Sequence, residues 1–225
     1  MKRRMLRYAL FDVDNTLYPK SAGIMEMVSQ RISAYMATRL GMDEETIRVL
    51  RPRYWKQYGT TMRGLLVEYH IDPDDYLSYV HDFSLTGLLA PNPELDRVLA
   101  ALPWQKVIFT NSSRLHTEQI LATLGVEQHF QCIFDIKYTG YVGKPDPAAY
   151  RFVLDALNAA AEDCLMVDDS LANLRPAKEL GMVTVLVGFD DVTDSADYVI
   201  GRIEDVAQVA CWTQHKGVRS RQARE

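Results

Sequence analysis

In the stretch "ALFDVDNTLYPKS", two aspartates one residue apart, Asp12 and Asp14, close an apolar run. Alternate side chains of a strand share a face, so both carboxylates point the same way if the strand continues to Asp14. Buried together they repel, at a cost of several kcal/mol, and a cation is expected beside them. Three more polar clusters follow apolar runs: Thr110, Asn111 and Ser112 after "KVIF", Asp168, Asp169 and Ser170 after "CLMV", and Lys144 within "YTGYVGKPDPAAY". Brought to one edge, these would gather an ammonium, hydroxyl and amide donors and a dense set of acids. Oxygen ligands with no nearby His or Cys pair favour magnesium over zinc. A dication and a lysine among acids also make a receptacle for a phosphoryl group. An ionised aspartate such as Asp12 can attack phosphorus in line. A second carboxyl, Asp14, can protonate the leaving oxygen and then take a proton from water. That double role predicts a raised pKa for Asp14, caused by the negative charge around it.

Elements must carry these residues to one place. Short, nearly continuous apolar runs at 8–13, 106–111, 132–136, 164–169 and 182–188 have the length of strands covered on both faces. Helical patterns at 92–101, 113–124, 147–159 and 171–180 separate them, with Gly125 and Gly181 as stops. The alternation predicts an α/β fold with a doubly wound, mainly parallel, Rossmann-like sheet. In such sheets ligands bind outside the carboxyl ends of the strands, where the polar clusters fall. Four helical patterns at 24–40, 43–58, 61–70 and 73–81 interrupt the rhythm after the first strand. They predict an inserted all-helical cap at 19–87, with the core at 1–18 and 88–213 and a disordered basic tail at 214–225.

"DVDNT" with Asp12, Asp14 and Thr16, "FTN" with Thr110 and Asn111, "GKPDP" with Lys144 and "VDDS" with Asp168 and Asp169 resemble the four ordered motifs of the haloacid dehalogenase superfamily. The resemblance implies a nucleophile at Asp12, an acid/base at Asp14, phosphate contacts from Thr110, Asn111 and Lys144, and charge neutralisation by Lys144. It also implies Mg2+ held by the Asp12 carboxylate, the Asp14 backbone carbonyl and Asp169, with Asp168 assisting. Dehalogenases of the superfamily lack an acid two residues after the nucleophile, so Asp14 implies phosphoryl transfer. Asn173 departs from the pattern, since many relatives repeat an aspartate there. The cap and its hinges are similar to the pyrimidine 5′-nucleotidase branch, which implies a nucleoside 5′-monophosphate as the small-molecule substrate. Phosphoglycolate or a sugar phosphate is the alternative substrate, a phosphomutase an alternative activity, and a silent binding protein the alternative without catalysis.

Each residue has a plainer reading. Acids are common in turns after strands, and a loop lysine is ordinarily solvated. Tyr54, Trp55 and Tyr58 have the spacing of a core stripe, beside their reading as a stacking wall for a base. Arg53 and Arg63 sit on helix faces and could meet a substrate anion, while His70 and His81 read as structural or exposed. The 225 residues are 48% hydrophobic and carry a net charge of −5. The tail holds four bases and one acid, so the rest has 21 bases against 29 acids, which argues against a nucleic acid polymer or an anionic membrane as partner. The basic start of the chain has the flank of a signal peptide, but Arg7 and Asp12 interrupt its apolar run, and no segment approaches the length of a membrane span. A cytoplasmic protein is expected, and its oligomeric state is left open.

Overall fold

The structure is a computed structural model, and it describes residues 6–188 and 195–215, with side chains to 210. The basic tail expected at 214–225 therefore lies outside the described residues from 216 onward, while 214 and 215 complete the last helix. In chain order the elements are β1 (Tyr8–Phe11), α1 (Ile24–Leu40), α2 (Glu44–Tyr58), α3 (Thr61–Tyr69), α4 (Pro73–His81), α5 (Pro93–Ala101), β2 (Gln105–Phe109), α6 (Arg114–Leu124), β3 (Phe130–Phe134), α7 (Pro147–Leu157), β4 (Cys164–Asp168), α8 (Leu171–Leu180), β5 (Val183–Val187), β6 (Tyr198–Ile200) and α9 (Val206–His215). The strands form one sheet in the order β3-β2-β1-β4-β5-β6 with every pairing parallel. The first strand thus lies inside the sheet between β2 and β4, and the chain order reverses beside it. β6 escaped the sequence reading because three residues carry too short an apolar run to stand out.

Alternation along the strands splits the core into two layers. Ala9 and Phe11 of β1 join Ile108, Leu165, Val167 and Val185 on one face, covered by Leu95 and Leu99 of α5, Ile120 and Leu124 of α6, and Val206 and Val209 of α9. Tyr8 and Leu10 join Val107, Phe109, Met166 and Leu186 on the other, covered by Tyr150 and Val153 of α7 and Leu174 and Ala177 of α8. Each large side chain so buried contributes about 1.5–3 kcal/mol before its ordering entropy is charged. Helix starts follow from capping chemistry: Asn92 accepts from the Leu95 N–H before Pro93, Ser113 from His116, and Asp146 from Ala148 before Pro147.

α1 to α4 build a separate apolar cluster from Tyr35, Met36, Ile47, Leu50, Tyr54, Leu65, Tyr76, Leu77 and Val80. Ile136, from the loop after β3, is fully buried in this cluster, so that loop is where the helices meet the sheet domain. Asp74 of α4 also accepts from Lys137 Nζ at 2.7 Å and from the Tyr141 hydroxyl at 3.1 Å. At the end of α2, a Cβ on Gly59 would lie 2.9 Å from Pro145 Cδ, so the helices also abut the residue after Lys144. Among the described residues, no helix is long and apolar enough to cross a membrane.

Candidate active site

β1, β2 and β4 and the loop after β3 deliver the polar clusters to one edge of the sheet. β1 stops at Phe11, so Asp12 follows the strand directly, and its N–H still donates to Val167 O at 2.9 Å. Lys144 Nζ donates to Asp12 Oδ1 at 2.8 Å, to Asp168 Oδ2 at 2.7 Å and to the Phe109 carbonyl at 2.8 Å. All three ammonium hydrogens are thereby used, in a side chain only 1% exposed. Burial alone would lower the Lys144 pKa, but the charges of Asp12 and Asp168 outweigh it and hold the ammonium above its ordinary value. The cation that answers the buried Asp12 carboxylate is this lysine, 132 residues away in the chain.

A backbone bracket fixes Lys144. Asn111 Nδ2 donates to the Lys144 carbonyl and Asn111 Oδ1 accepts from the Lys144 N–H, both at 2.8 Å. A Cβ on Gly143 would sit 2.5 Å from that Oδ1 and 2.8 Å from Ile136 Cδ1, so a larger residue would have to displace the Asn111 amide or Ile136. Both ends of the Asn111 side-chain amide are thereby engaged in positioning Lys144. Thr110 is 2% exposed, with its N–H on the Phe134 carbonyl at 3.0 Å and its Oγ1 accepting from the Ser112 N–H at 3.1 Å. Asp168 also accepts from Ser170 N–H at 2.9 Å and from Asn173 Nδ2 at 3.0 and 3.2 Å. The departure at Asn173 is therefore structural in effect: its amide orients the carboxylate that Lys144 needs. Thr16 Oγ1 donates to Asp12 Oδ2 at 3.0 Å and accepts from the Asp169 N–H at 3.1 Å, linking the first and last motifs.

Asp12, Asp168 and Asp169 each offer a carboxylate oxygen within 4.8 Å of the others. Burial, and then Asp168, push Asp169 up to about 6. Burial and the neighbouring carboxylates likewise raise Asp12 above the usual carboxylate range, even with Lys144 beside it. Asn15, held at a left-handed φ of 59°, hydrogen-bonds Asp169 and leaves its Oδ1 buried without a partner. An oxygen-only donor set with surplus negative charge and an orphaned amide oxygen fits a hard dication.

Asp14 departs from its predicted electrostatics. Its Oδ1 accepts from the Tyr18 hydroxyl at 2.6 Å and faces His116 Nε2 at 3.1 Å, and its Oδ2 accepts from the Ser112 hydroxyl. Burial by itself raises its pKa, but His116, then Ser112 and Tyr18, outweigh that and hold the carboxyl below its ordinary value. The expected rise is corrected to a fall, because donors from distant elements surround the group. His116 was missed in the sequence, where its only signal is its place one turn before Ile120 on the buried face of α6, which reads as core.

The cap residues divide. Tyr54 is fully buried and its hydroxyl donates to Glu68 Oε2 at 2.8 Å, so as a stacking wall it is corrected to a core residue. Tyr58 donates to Glu68 Oε1 at 3.2 Å, and Arg53 pairs with the same carboxylate while lying over the Tyr54 ring. Trp55 is 62% exposed and lines a groove with Ser33, Ala37, Arg48 and Pro52. Arg63 is partly buried, and its backbone N–H donates to the Thr60 hydroxyl at the start of α3.

With this fold and site in place, the match of residues 6–181 to the haloacid dehalogenase-like hydrolase model is decisive, and the chain belongs to that family. Within it, the chain is 27% identical over 205 residues to phosphate metabolism protein 8 of Saccharomyces cerevisiae, an alignment covering 84% of this chain and 64% of the yeast protein. It is 25% identical to the glyceraldehyde 3-phosphate phosphatase of Methanocaldococcus jannaschii, over 91% of this chain and 97% of that protein. It is 26% identical to a 5′-nucleotidase of Pseudomonas aeruginosa, over 84% and 86% respectively. A crystal structure of an HAD phosphatase from Thermococcus onnurineus shares the fold, with a TM-score of 0.57 and 21% identity over 91% of this chain and 97% of that one. The family model makes the chain a hydrolase of this family.

Proposed function

We propose that the protein is a magnesium-dependent phosphomonoesterase that works through an aspartyl phosphate on Asp12, with a nucleoside 5′-monophosphate as substrate. The observation that carries the reading is Lys144, buried and shared between Asp12 and Asp168 with Asp169 in reach, since that charge pattern suits a dianionic phosphoryl group. Asp12, Asp169, Asp168 and the Asp14 backbone carbonyl would hold Mg2+, which supplies charge neutralisation for the phosphoryl oxygens when bound. An Asp12 carboxylate oxygen attacks phosphorus and the bond from phosphorus to the ester oxygen breaks; Asp14, ionised in the resting site, takes up a proton as the negatively charged substrate settles against it and gives that proton to the ester oxygen. Water then attacks the phospho-Asp12 phosphorus, Asp14 takes the water proton, and inorganic phosphate leaves with Asp12 restored. Thr110 and the ammonium of Lys144 contact the phosphoryl group, the latter by exchanging one of its present acceptors.

The helices of residues 19–87 act as the cap that covers this edge and excludes water. Arg63, Tyr58 and the exposed Trp55 are its substrate-side candidates. Similarity to the Pseudomonas aeruginosa 5′-nucleotidase supports the nucleotide, whereas similarity to the Methanocaldococcus jannaschii phosphatase favours a second reading, a small sugar-type phosphate. A panel of phosphomonoesters with Mg2+ separates them: kcat/KM highest for nucleoside monophosphates supports the first, and a large margin for a triose phosphate or phosphoglycolate overturns it. Asp12→Asn is expected to abolish turnover with the fold retained by circular dichroism, because the amide is nearly isosteric but a poor nucleophile. Equal rates in the two proteins would refute the covalent route.

A further inference from the structure

Asp14 is connected through His116 to the helical unit. The His116 side chain is 1% exposed, and its Nε2 lies 3.1 Å from Asp14 Oδ1, an oxygen that also accepts from Tyr18. An ionised carboxylate only accepts, so this contact needs the proton of His116 on Nε2. The His81 ring covers the His116 ring, with centroids 4.2 Å apart and planes 17° from parallel. His81 is the last residue of α4, and its Nδ1 lies 3.1 Å from the hydroxyl of Ser113, the residue that caps α6. Burial, and then His116, push the His81 imidazole down to about 3, so a neutral ring makes the stack. Phe83, in the return from α4, stands at 6.0 Å from the same His116 ring.

We propose that His116 is a positioning residue for Asp14, and that its stack on His81 makes this positioning depend on how α4 seats against α6. The inference rests on the phosphatase reading above, in which Asp14 must reach the ester oxygen in one half of the cycle and the attacking water in the other. A carboxyl held by fewer donors turns about its last torsion and points at neither oxygen. A purely structural His116 would instead cost stability and slow all substrates alike. The distinguishing property is the leaving group: p-nitrophenolate departs without a proton, whereas an alkoxide needs one from Asp14.

The test compares wild type, His116→Leu, His116→Gln and His81→Ala on p-nitrophenyl phosphate and on a primary alkyl phosphate, with Mg2+ present. His116→Leu is expected to lower kcat on the alkyl ester at least about tenfold more than on the aryl ester, with KM within about twofold. His116→Gln, whose amide N–H can reach the same oxygen, is expected to restore most of the difference, and His81→Ala to show the same selectivity in smaller measure. Equal losses on both esters, or a change confined to KM, overturn the proposal. So does a His116→Gln protein with the selective loss undiminished, a comparison that stands even if His116→Leu does not fold. A readout without turnover is the 15N NMR signal of His116, expected in the Nε2-protonated form and shifted by Asp14→Ala. An Nδ1-protonated or unresponsive ring overturns the link. Wild-type protein that hydrolyses no phosphomonoester overturns the phosphatase reading instead, and the NMR result then decides the His116–Asp14 contact on its own.

Discussion

At the scale of single residues, the site is a problem in compensating buried charge. Lys144 is tolerable in a dry environment because two carboxylates and a carbonyl take all its protons, and the carboxylates are tolerable because of it. Lys144→Met should therefore cost about 3 kcal/mol of stability at neutral pH in urea denaturation, as Asp12 and Asp168 are left without their shared donor. The deficit should shrink toward pH 4, since a protonated carboxyl needs no counter-charge, and a deficit independent of pH would contradict this account. His81 gives a second pH dependence. The folded ring binds its proton only near 3 while the unfolded chain binds it near 6.5, so acidification through that window favours unfolding. Wild type should lose about 2 kcal/mol more than His81→Gln between pH 7 and pH 4, a figure reduced because the ring is only partly buried. Parallel stability curves for the two proteins would rule this out. Asp12, Asp14 and Asp169 stood out in the sequence as candidates because each ends or follows an apolar run, and Lys144 because it lies in a Gly/Pro-structured loop before a helix. The direction of the Asp14 shift was not, because Ser112 and His116 come from 98 and 102 residues away.

At the scale of elements, parallel strands with helical crossovers put every strand's carboxyl end on one edge, so the polar residue after each strand arrives at the same place. That is why the core strands and helices could be read from apolar runs and stops alone. The loop between β3 and α7 is different, since its shape is set by contacts rather than by periodicity. Gly143 allows Asn111 to grip the Lys144 backbone, and Gly143→Ala should push the bracket apart. We expect a loss of about 1–3 kcal/mol and roughly tenfold lower kcat, measured by thermal unfolding and steady-state kinetics. Wild-type values for both would show that the loop relaxes freely. The stripe of Tyr54, Trp55 and Tyr58 shows the limit of element-level reading: helical spacing groups them, yet Tyr54 is fully buried and Trp55 is exposed.

At the scale of the whole molecule, the helices and the sheet domain meet through Ile136, Asp74 with Lys137 and Tyr141, Gly59 against Pro145, and His81 on His116. The exposed ion pair among these contributes little, so the apolar and stacking contacts govern how firmly the two parts are joined. A dication bound only by the folded site stabilises the entire chain by mass action. Mg2+ at ten times its Kd should add about 1.4 kcal/mol and raise Tm, and Asp169→Asn should remove most of that increment. An equal rise in Tm for the variant would place the ion elsewhere. The parallel α/β core, the run of helices after β1 and the candidate acids and lysine could be read without coordinates. Those follow from local periodicity, chain stops and ordered motifs, which every short window of the chain expresses. That Asn111 serves Lys144, that Asn173 serves Asp168, that Tyr54 is core, and that His81 and His116 stand behind Asp14 came from the packed coordinates. Each depends on side chains that meet across long separations in the chain, where hydrogen-bond geometry and burial exist only once the elements have packed.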